Sequence, residues 1–194
     1  MYYYVCEFQQ GQEFPCIKCK YDQRPLYFFD SDNFIFTQSP TILSDFEIRT
    51  YLKIYLKQQI EEHRKTCVIQ NDFLNQVNET FIQPDDGTFP ADLKKVYAYH
   101  QGFTNLKPQI EEQILEIEKI TAKTIYLKNS WLGRKTIKKS DFLKNFYWRY
   151  STVRYSEKVG NIFKDDFYER FCTHSKYIIQ CNFLLNNVEQ IPIE

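Results

Sequence analysis

Apolar residues recur at intervals of three and four positions in several stretches of this 194-residue chain. The first stretch begins with SDFE at positions 44–47, which has the pattern of a helix capping box. Four apolar side chains then share one face at helical spacing: Ile48, Leu52, Leu56 and Ile60. The pattern predicts a helix from Ser44 to about His63, and the apolar stretch 67–82 predicts further helix.

The second half of the chain shows the same spacing. Ile110, Ile114 and Ile117 follow Pro108, which is tolerated in a first helical turn because its missing N–H would have no partner there. Glutamates near the start of this stretch and lysines near its end suit a helix dipole. The sequence therefore predicts a helix over 107–128, another after Ser140 and one more near 164–173.

Residues 1–43 are different, because they are rich in aromatic and β-branched residues. YYYVCEF at 2–8 and NFIFTQ at 33–38 have the composition of short strands, with a turn at 30–33 between two apolar runs.

The segment 85–102 separates the predicted helices and has turn signals at both ends. It contains a Phe89-Pro90 pair, and the proline biases Phe89 toward an extended backbone. Two interpretations stay open. Phe89 fills a gap between the two main helices, or the segment through Tyr97 and Tyr99 lies on a partner.

Composition excludes several classes of function. The chain has 25 basic and 25 acidic residues, so its overall charge gives no argument for nucleic-acid or membrane binding. It has five glycines and no glycine-rich phosphate-binding motif, which argues against a nucleotide site. No apolar run is long enough to predict a transmembrane helix, and the N-terminus lacks a secretory pattern. We therefore expect a cytoplasmic protein.

Cysteine and histidine residues are the candidates for site chemistry. CIKC at 16–19 is a CxxC pair, but a structural zinc site usually uses two such pairs, and the sequence has no second one. A zinc site and reduced thiols both stay open for Cys6, Cys16 and Cys19. No histidine lies in a metalloprotease or hydrolase motif. We expect a non-catalytic protein without cofactor or metal.

Residues 128–158 form the strongest local charge feature, with nine basic residues against two acidic ones and with interleaved aromatics. Three interpretations are open. The segment is a solvated basic helix whose aromatics face the core, a surface that docks on an acidic protein, or a site for single-stranded nucleic acid.

Four blocks occur in a recognisable order along the chain. They are the aromatic run 26–36, an R-T-x-x-x-I-x-L pattern at 49–56, the pairs Phe89-Pro90 and Tyr97-Ala98, and the Glu-rich stretch 107–128 followed by Tyr147-Trp148. Together they resemble subunit 3 of the actin-related protein 2/3 complex, which nucleates branched actin filaments. The resemblance covers roughly residues 25–155, and about forty residues after Arg154 have no counterpart.

Helical spacing and this resemblance together predict a mainly α-helical fold. The resemblance implies a single compact domain, 1–155, with helices packed around a central helix, an irregular N-terminal segment and helical residues 26–29. A C-terminal extension, 156–194, would pack on this domain or on a partner.

The resemblance also implies a function, that of a scaffold subunit in the actin cytoskeleton. Such a subunit would dock on an actin-related protein, beside other subunits and the actin filament and away from membranes, through apolar anchors and a basic rim. Two alternatives stay open: a nucleic-acid-binding or ribonucleoprotein component that uses 128–158, and a helical subunit of another large assembly. The candidate partner-binding residues are Phe89, Pro90, Tyr97, Tyr99, Arg134, Lys135, Lys138, Lys139, Tyr147, Trp148 and Arg149.

Overall fold

The fold is given by a computed structural model that describes residues 1–8, 11–21, 33–104, 107–142, 144 and 147–194. The backbone contacts divide the chain into two compact units. Unit 1 consists of Met1–Thr66 and Thr173–Glu194, and unit 2 consists of Cys67–Cys172. Two α-helices, α1 (Asp45–Thr80) and α2 (Glu157–Asn186), each contribute residues to both units.

Unit 1 contains a three-stranded antiparallel sheet of β1 (Tyr2–Glu7), β2 (Cys16–Tyr21) and β3 (Asn33–Ser39) in the order β2-β1-β3. The C-terminal tail lies along β2, because the Ile17 N–H donates to the Pro192 carbonyl and the Glu194 N–H donates to the Ile17 carbonyl. The buried core joins sheet and helices through Tyr4, Ile17, Leu52, Leu56, Leu184 and Ile191.

Unit 2 contains a five-stranded antiparallel sheet that curls into a half-barrel. Its strands are β4 (Lys95–Thr104), β5 (Lys107–Ile120), β6 (Thr124–Trp131), β7 (Arg134–Lys138) and β8 (Arg149–Ser151). Their order is β7-β6-β5-β4-β8, so β7 and β8 are its edges. One core lies on the sheet around Val96, Ile125 and Ile137, and a second joins sheet and helices around Val77, Tyr99 and Phe163.

The prediction of a mainly α-helical fold is wrong, because the described ranges hold two α-helices and eight strands. The predicted helix over 107–128 is replaced by β5 and β6. Burial along β5 alternates and changes phase near its middle, and this mimics helical spacing. Ile114, which would have completed the helical face, is 46% exposed.

The predicted helix after Ser140 is also wrong. A short 3-10 helix, Lys139–Asp141, is followed by β8, and the aromatic residues of this segment pack against the sheet. The segment 85–102 is a loop only in its first part, since β4 begins at Lys95. The prediction of a helix at 26–29 and most of the turn at 30–33 lie outside the described residues.

The expectation of an irregular N-terminal segment is wrong, because β1, β2 and β3 form a sheet there; the strand composition of 2–8 and 33–38 was the better guide. Ser44 and Glu47 form the predicted capping box: the Glu47 carboxylate accepts from the Ser44 N–H at 2.8 Å. The helix continues past His63 to Thr80, because Phe73 and Val77 extend its buried face. The stretch 164–173 lies within the longer helix α2.

No helix in the described ranges is both long enough and apolar enough to cross a membrane.

Candidate functional site

Five aromatic side chains, one of them buried and four partly buried, follow one another in unit 2, and we refer to them as the aromatic row. Ring centroids are 4.9 Å apart between Trp148 and Trp131, and 5.7 Å apart between Trp131 and Tyr150. The row continues from Tyr150 to Phe142 at 5.7 Å and from Phe142 to Phe89 at 4.9 Å. Most of these contacts are edge-to-face, which is a favourable geometry for aromatic pairs.

Local structure explains why these rings meet. Trp131 ends β6, and a two-residue turn of Leu132 and Gly133 leads into β7. Both turn residues have positive φ, 48° and 72°, as in the type I′ turns that join twisted antiparallel strands. The 3-10 helix then returns the chain toward β8, which brings Phe142, Trp148 and Tyr150 alongside Trp131.

A pocket of about 450 Å³ opens at the tryptophan end of the row. Aromatic and aliphatic side chains form most of its lining, with one cation and one carboxylate at its rim. The lining residues are Trp131, Leu132, Arg134, Asp141, Tyr147, Trp148 and Tyr150. A smaller pocket of about 190 Å³ lies at the other end of the row, next to Phe89, Lys139 and Phe142.

Three of the nine basic residues in the segment 128–158 are neutralised by carboxylates from outside that segment. Lys128 pairs with Glu116 at 3.1 Å, Arg154 with Glu112 at 2.7 Å, and Arg149 with Asp166. Cross-strand and helix neighbours therefore reduce the positive charge that was counted from the sequence.

Arg134, Lys135 and Lys138 differ from these three. Within the ranges that the structure describes, no carboxylate lies within 4.0 Å of their side chains, and all three are exposed. All three lie on β7, and Arg134 also lines the pocket of about 450 Å³. Lys139 follows directly after β7, with its Nζ 4.7 Å from the centroid of the Phe89 ring, a cation–π contact. Four basic residues thus lie on or next to this edge of the sheet.

The remaining predicted site residues have structural contacts. Phe89 is half-buried and packs on Phe142, and Pro90 is exposed. Tyr97 packs against the second core of unit 2. Tyr99 is fully buried; its hydroxyl donates to Glu112 at 3.0 Å and accepts the Tyr155 N–H at 2.8 Å. Burial raises the pKa of Tyr99 far above its usual value.

Arg149 is buried beneath the aromatic surface. Its guanidinium carbon lies 4.3 Å from the centroid of the Phe163 ring, and it pairs with Asp166. Burial lowers its pKa, although the neighbouring carboxylate opposes this shift. A second pocket of about 440 Å³ lies above it, lined in part by Gln101, Arg170 and Tyr147. Tyr147 thus borders both this pocket and the pocket of about 450 Å³ at the tryptophans, which we refer to as the larger pocket. Its side chain is 73% exposed.

Asp85 fixes the segment that leads to Phe89, at one end of the aromatic row. It is buried, and it accepts hydrogen bonds from Ser151 Oγ at 2.7 Å, Ser156 Oγ at 2.6 Å and the Gly87 N–H at 2.7 Å. Burial alone would raise the pKa of Asp85, but these hydrogen bonds outweigh it and the pKa is lowered. The network ties together the segment before Phe89, the end of β8 and the start of α2.

The cysteine and histidine candidates are distributed differently. Cys6 and Cys16 are buried and Cys19 is exposed, and burial raises the pKa of the Cys6 thiol strongly. The described part of the chain contains no group of three or more metal-ligating side chains. His63 and His174, both in unit 1, share a hydrogen bond of 2.9 Å between their Nδ1 atoms. Their ring centroids are 5.1 Å apart, and the two ring planes are inclined at 47° to each other.

Of the predicted partner-binding residues, Arg134, Tyr147 and Trp148 come together at one pocket. Leu132 also lines it and was not predicted, and neither were Asp141 or, beyond their place in the basic aromatic segment, Trp131 and Tyr150. A signal for Leu132 was present: WLGR has the spacing of a two-residue hairpin turn, in which the residue before glycine is usually Asn or Asp.

Comparison with protein-family models, with curated proteins and with solved structures gave no match.

Proposed function

We propose that the protein is a non-catalytic docking protein whose unit 2 binds an acidic segment of a partner protein along the aromatic row. The observation that carries this proposal is a pocket lined by two tryptophans and by Arg134 of β7, a strand whose exposed Lys135 and Lys138 also have no carboxylate partner in the described ranges. Tryptophan, tyrosine and arginine dominate the binding energy of many protein interfaces. Complementary charge increases the association rate and selects the partner.

The edge position of β7 supports the same proposal. In the described ranges, no strand pairs with the outer side of β7. Exposed lysines on such an edge disfavour pairing with another basic strand, and they do not disfavour an acidic segment. The charge of β7 therefore restricts the class of partner.

Co-purification from the cell that makes this protein tests the proposal. The double variant Lys135→Glu, Lys138→Glu changes the charge of the candidate surface. The matched control, Lys57→Glu, Lys107→Glu, makes the same charge change at two exposed lysines elsewhere. We expect the wild-type chain and the control to retain the same acidic partner and the β7 variant to lose it. Partner sets that are identical for all three chains would contradict the proposal.

Single-stranded nucleic acid is a second candidate ligand, favoured by the exposed ring of Tyr147 beside the pocket that Arg134 lines. Exposed aromatic rings can stack on bases, and neighbouring cations can pair with phosphates. A salt titration of oligonucleotide affinity tests this candidate. A plot of log affinity against log salt concentration should have a slope of about −0.7 for each phosphate contact with a single strand. An absence of binding at low salt would reject it.

Membership of an actin-nucleating complex stays a prediction. The resemblance implies a helical fold, whereas Tyr97-Ala98 lies on β4 and the Glu-rich stretch lies on β5 and β6. The docking proposal is therefore based on the pocket and its charges and not on the resemblance. Actin relatives among the partners that depend on Lys135 and Lys138 would support membership. A dependent partner set without actin relatives would reject membership and leave the docking proposal intact.

A further inference from the structure

Leu132 is an exposed leucine in a backbone conformation that leucine disfavours. Its φ is 48°, and its side chain is 64% exposed at the tip of the β6–β7 hairpin. In this conformation the Cβ of an L-residue crowds the following carbonyl, which is why asparagine or glycine usually occupies such turn positions. Packing within unit 2 explains neither the exposure nor the choice of residue. A side chain that is costly in the free protein is a candidate for a role in binding.

The surroundings of Leu132 indicate what it contacts. It forms a wall of the larger pocket together with Trp131 and Trp148, and a pocket of about 450 Å³ has room for a large apolar side chain. Small-molecule and side-chain pockets are typically apolar with a few polar groups at the rim. Here the rim carries Arg134 and Asp141.

The charges in and around the pocket indicate that a complementary ligand has two chemically different parts. Arg134 and Asp141 carry opposite charges at the rim, so the pocket itself has no net charge to hold a carboxylate, whereas Lys135 and Lys138 favour carboxylates along β7 outside it. A complementary segment therefore has one apolar side chain at the pocket and acidic residues on the neighbouring positions of the chain.

Resting on the proposed docking function, we propose that the pocket receives one large apolar side chain from an extended acidic segment of the partner. Leu132 is then a specificity-determining residue, which selects acidic segments that carry such an anchor over acidic segments that lack one. Burial of an aromatic anchor beside it would strengthen binding about tenfold or more.

Three synthetic twelve-residue peptides test this inference, with binding measured by fluorescence anisotropy of a terminal label on the full-length protein. The first is rich in glutamate with a central phenylalanine, the second replaces that phenylalanine with serine, and the third replaces the glutamates with glutamine. We expect the first peptide to bind about tenfold more tightly than either of the others.

The variant Leu132→Asn separates binding from stability. We expect it to weaken binding of the phenylalanine peptide about fivefold and to leave the serine peptide unchanged, since only the former uses the pocket. We expect its melting temperature to rise by about 2–4 °C, because asparagine tolerates positive φ. A purely structural Leu132 would give the rise in melting temperature without the loss of affinity, and that result would overturn the inference.

Other outcomes are equally decisive. Equal affinity for the phenylalanine and serine peptides would overturn the anchor and leave acidic docking intact. Binding of an oligothymidine together with failure of all three peptides would reject the docking proposal itself. Self-association of the wild-type chain that Leu132→Asn abolishes would identify a second copy of the chain as the occupant, against the inference.

Discussion

The edge strands β2 in unit 1 and β7 in unit 2 both carry lysines, but only the lysines of β2 form ion pairs in the described ranges. Lys18 and Lys20 on β2 both pair with Glu7 on β1, and Lys18 also lies 3.7 Å from Glu194 of the C-terminal tail. The same tail forms backbone hydrogen bonds with β2 at Ile17. On β7, Lys135 and Lys138 have no carboxylate neighbour within the described ranges.

This difference separates two uses of the same residue type. Unpaired strand edges are sites of unwanted association, and proteins commonly cover them or place charges on them. Unit 1 pairs the start of β2 with the tail and neutralises its lysines internally, and we refer to this as the closed edge. Unit 2 places aromatic side chains and Arg134 at one pocket, residue types that are enriched at interfaces, and Lys135 and Lys138 would belong to its polar rim. We therefore expect changes at β2 to alter stability and changes at β7 to alter binding.

The largest effect is expected at Asp85, which supports the aromatic row from beneath. Asp85→Asn replaces a carboxylate that accepts three hydrogen bonds with an amide that can accept on only one oxygen. We expect a loss of about 2–3 kcal/mol in the free energy of unfolding, as for hydrogen bonds to charged groups. Chemical denaturation monitors this loss, and Asp92→Asn at an exposed position is the control.

The same residue gives unit 2 a dependence on acid. The pKa of Asp85 is lowered in the folded protein. Its contribution to stability is therefore complete above the unfolded value of about 3.9 and is lost as pH falls through the folded value. Asp85→Asn should remove this part of the acid sensitivity, and an unchanged slope of stability against pH below about 4 would contradict the account.

A smaller loss is expected when the closed edge is opened. Glu7→Gln removes the carboxylate that pairs with Lys18 and Lys20, whose side chains are each 31% exposed. We expect a loss of about 1 kcal/mol in the free energy of unfolding, because partly buried ion pairs lie at the upper end of the surface range. Binding of the acidic peptides should not change. A gain in acidic-peptide binding at β2 would show that neutralisation alone separates the two edges.

Protonation distinguishes the units near neutral pH. Burial lowers the pKa of both His63 and His174, and His174 also lowers that of His63, while Glu62 opposes this. Their contribution to stability is present above the unfolded value of about 6.5 and is lost as pH falls through the folded values. Hydrogen exchange at pH 5 and 7 should show a loss of protection in the unit 1 part of α1. His174→Gln should reduce that difference in protection. Identical protection factors at both pH values, corrected for the intrinsic exchange rate, would contradict the prediction.

The smallest effect on stability is expected at the open edge itself. Lys135→Glu, Lys138→Glu changes two exposed side chains without ion-pair partners in the described ranges, so the free energy of unfolding should change by less than about 0.5 kcal/mol. A larger loss, measured beside the Lys57→Glu, Lys107→Glu control, would mean that β7 is a structural edge like β2.

The sequence predicted the beginning of α1 well, because a capping box and a continuous apolar face act locally. It misassigned β5, where isoleucines on both sides of a phase change reproduce helical intervals. Alternation with a phase change and helical spacing cannot be told apart over so few residues. The strand was decided by hairpin pairing with its neighbours β4 and β6, which the apolar spacing of one stretch does not reveal.

The candidate site was predicted in part. The local excess of basic residues located Arg134 and Lys135, but the acids that neutralise Lys128, Arg149 and Arg154 come from β5 and α2. A count along the chain cannot include such partners. Leu132 was missed because its importance lies in its backbone conformation and exposure.

Intrinsic tryptophan fluorescence gives the most direct test of the central claim, that the aromatic row beside β7 binds an acidic segment. The chain has only two tryptophans, Trp131 and Trp148, and both line the larger pocket. We predict that the glutamate-rich peptide with a central phenylalanine shifts their emission saturably at low salt, and that Lys135→Glu, Lys138→Glu abolishes the shift. Emission that stays unchanged up to millimolar peptide, or a shift that the double variant retains in full, would contradict the account.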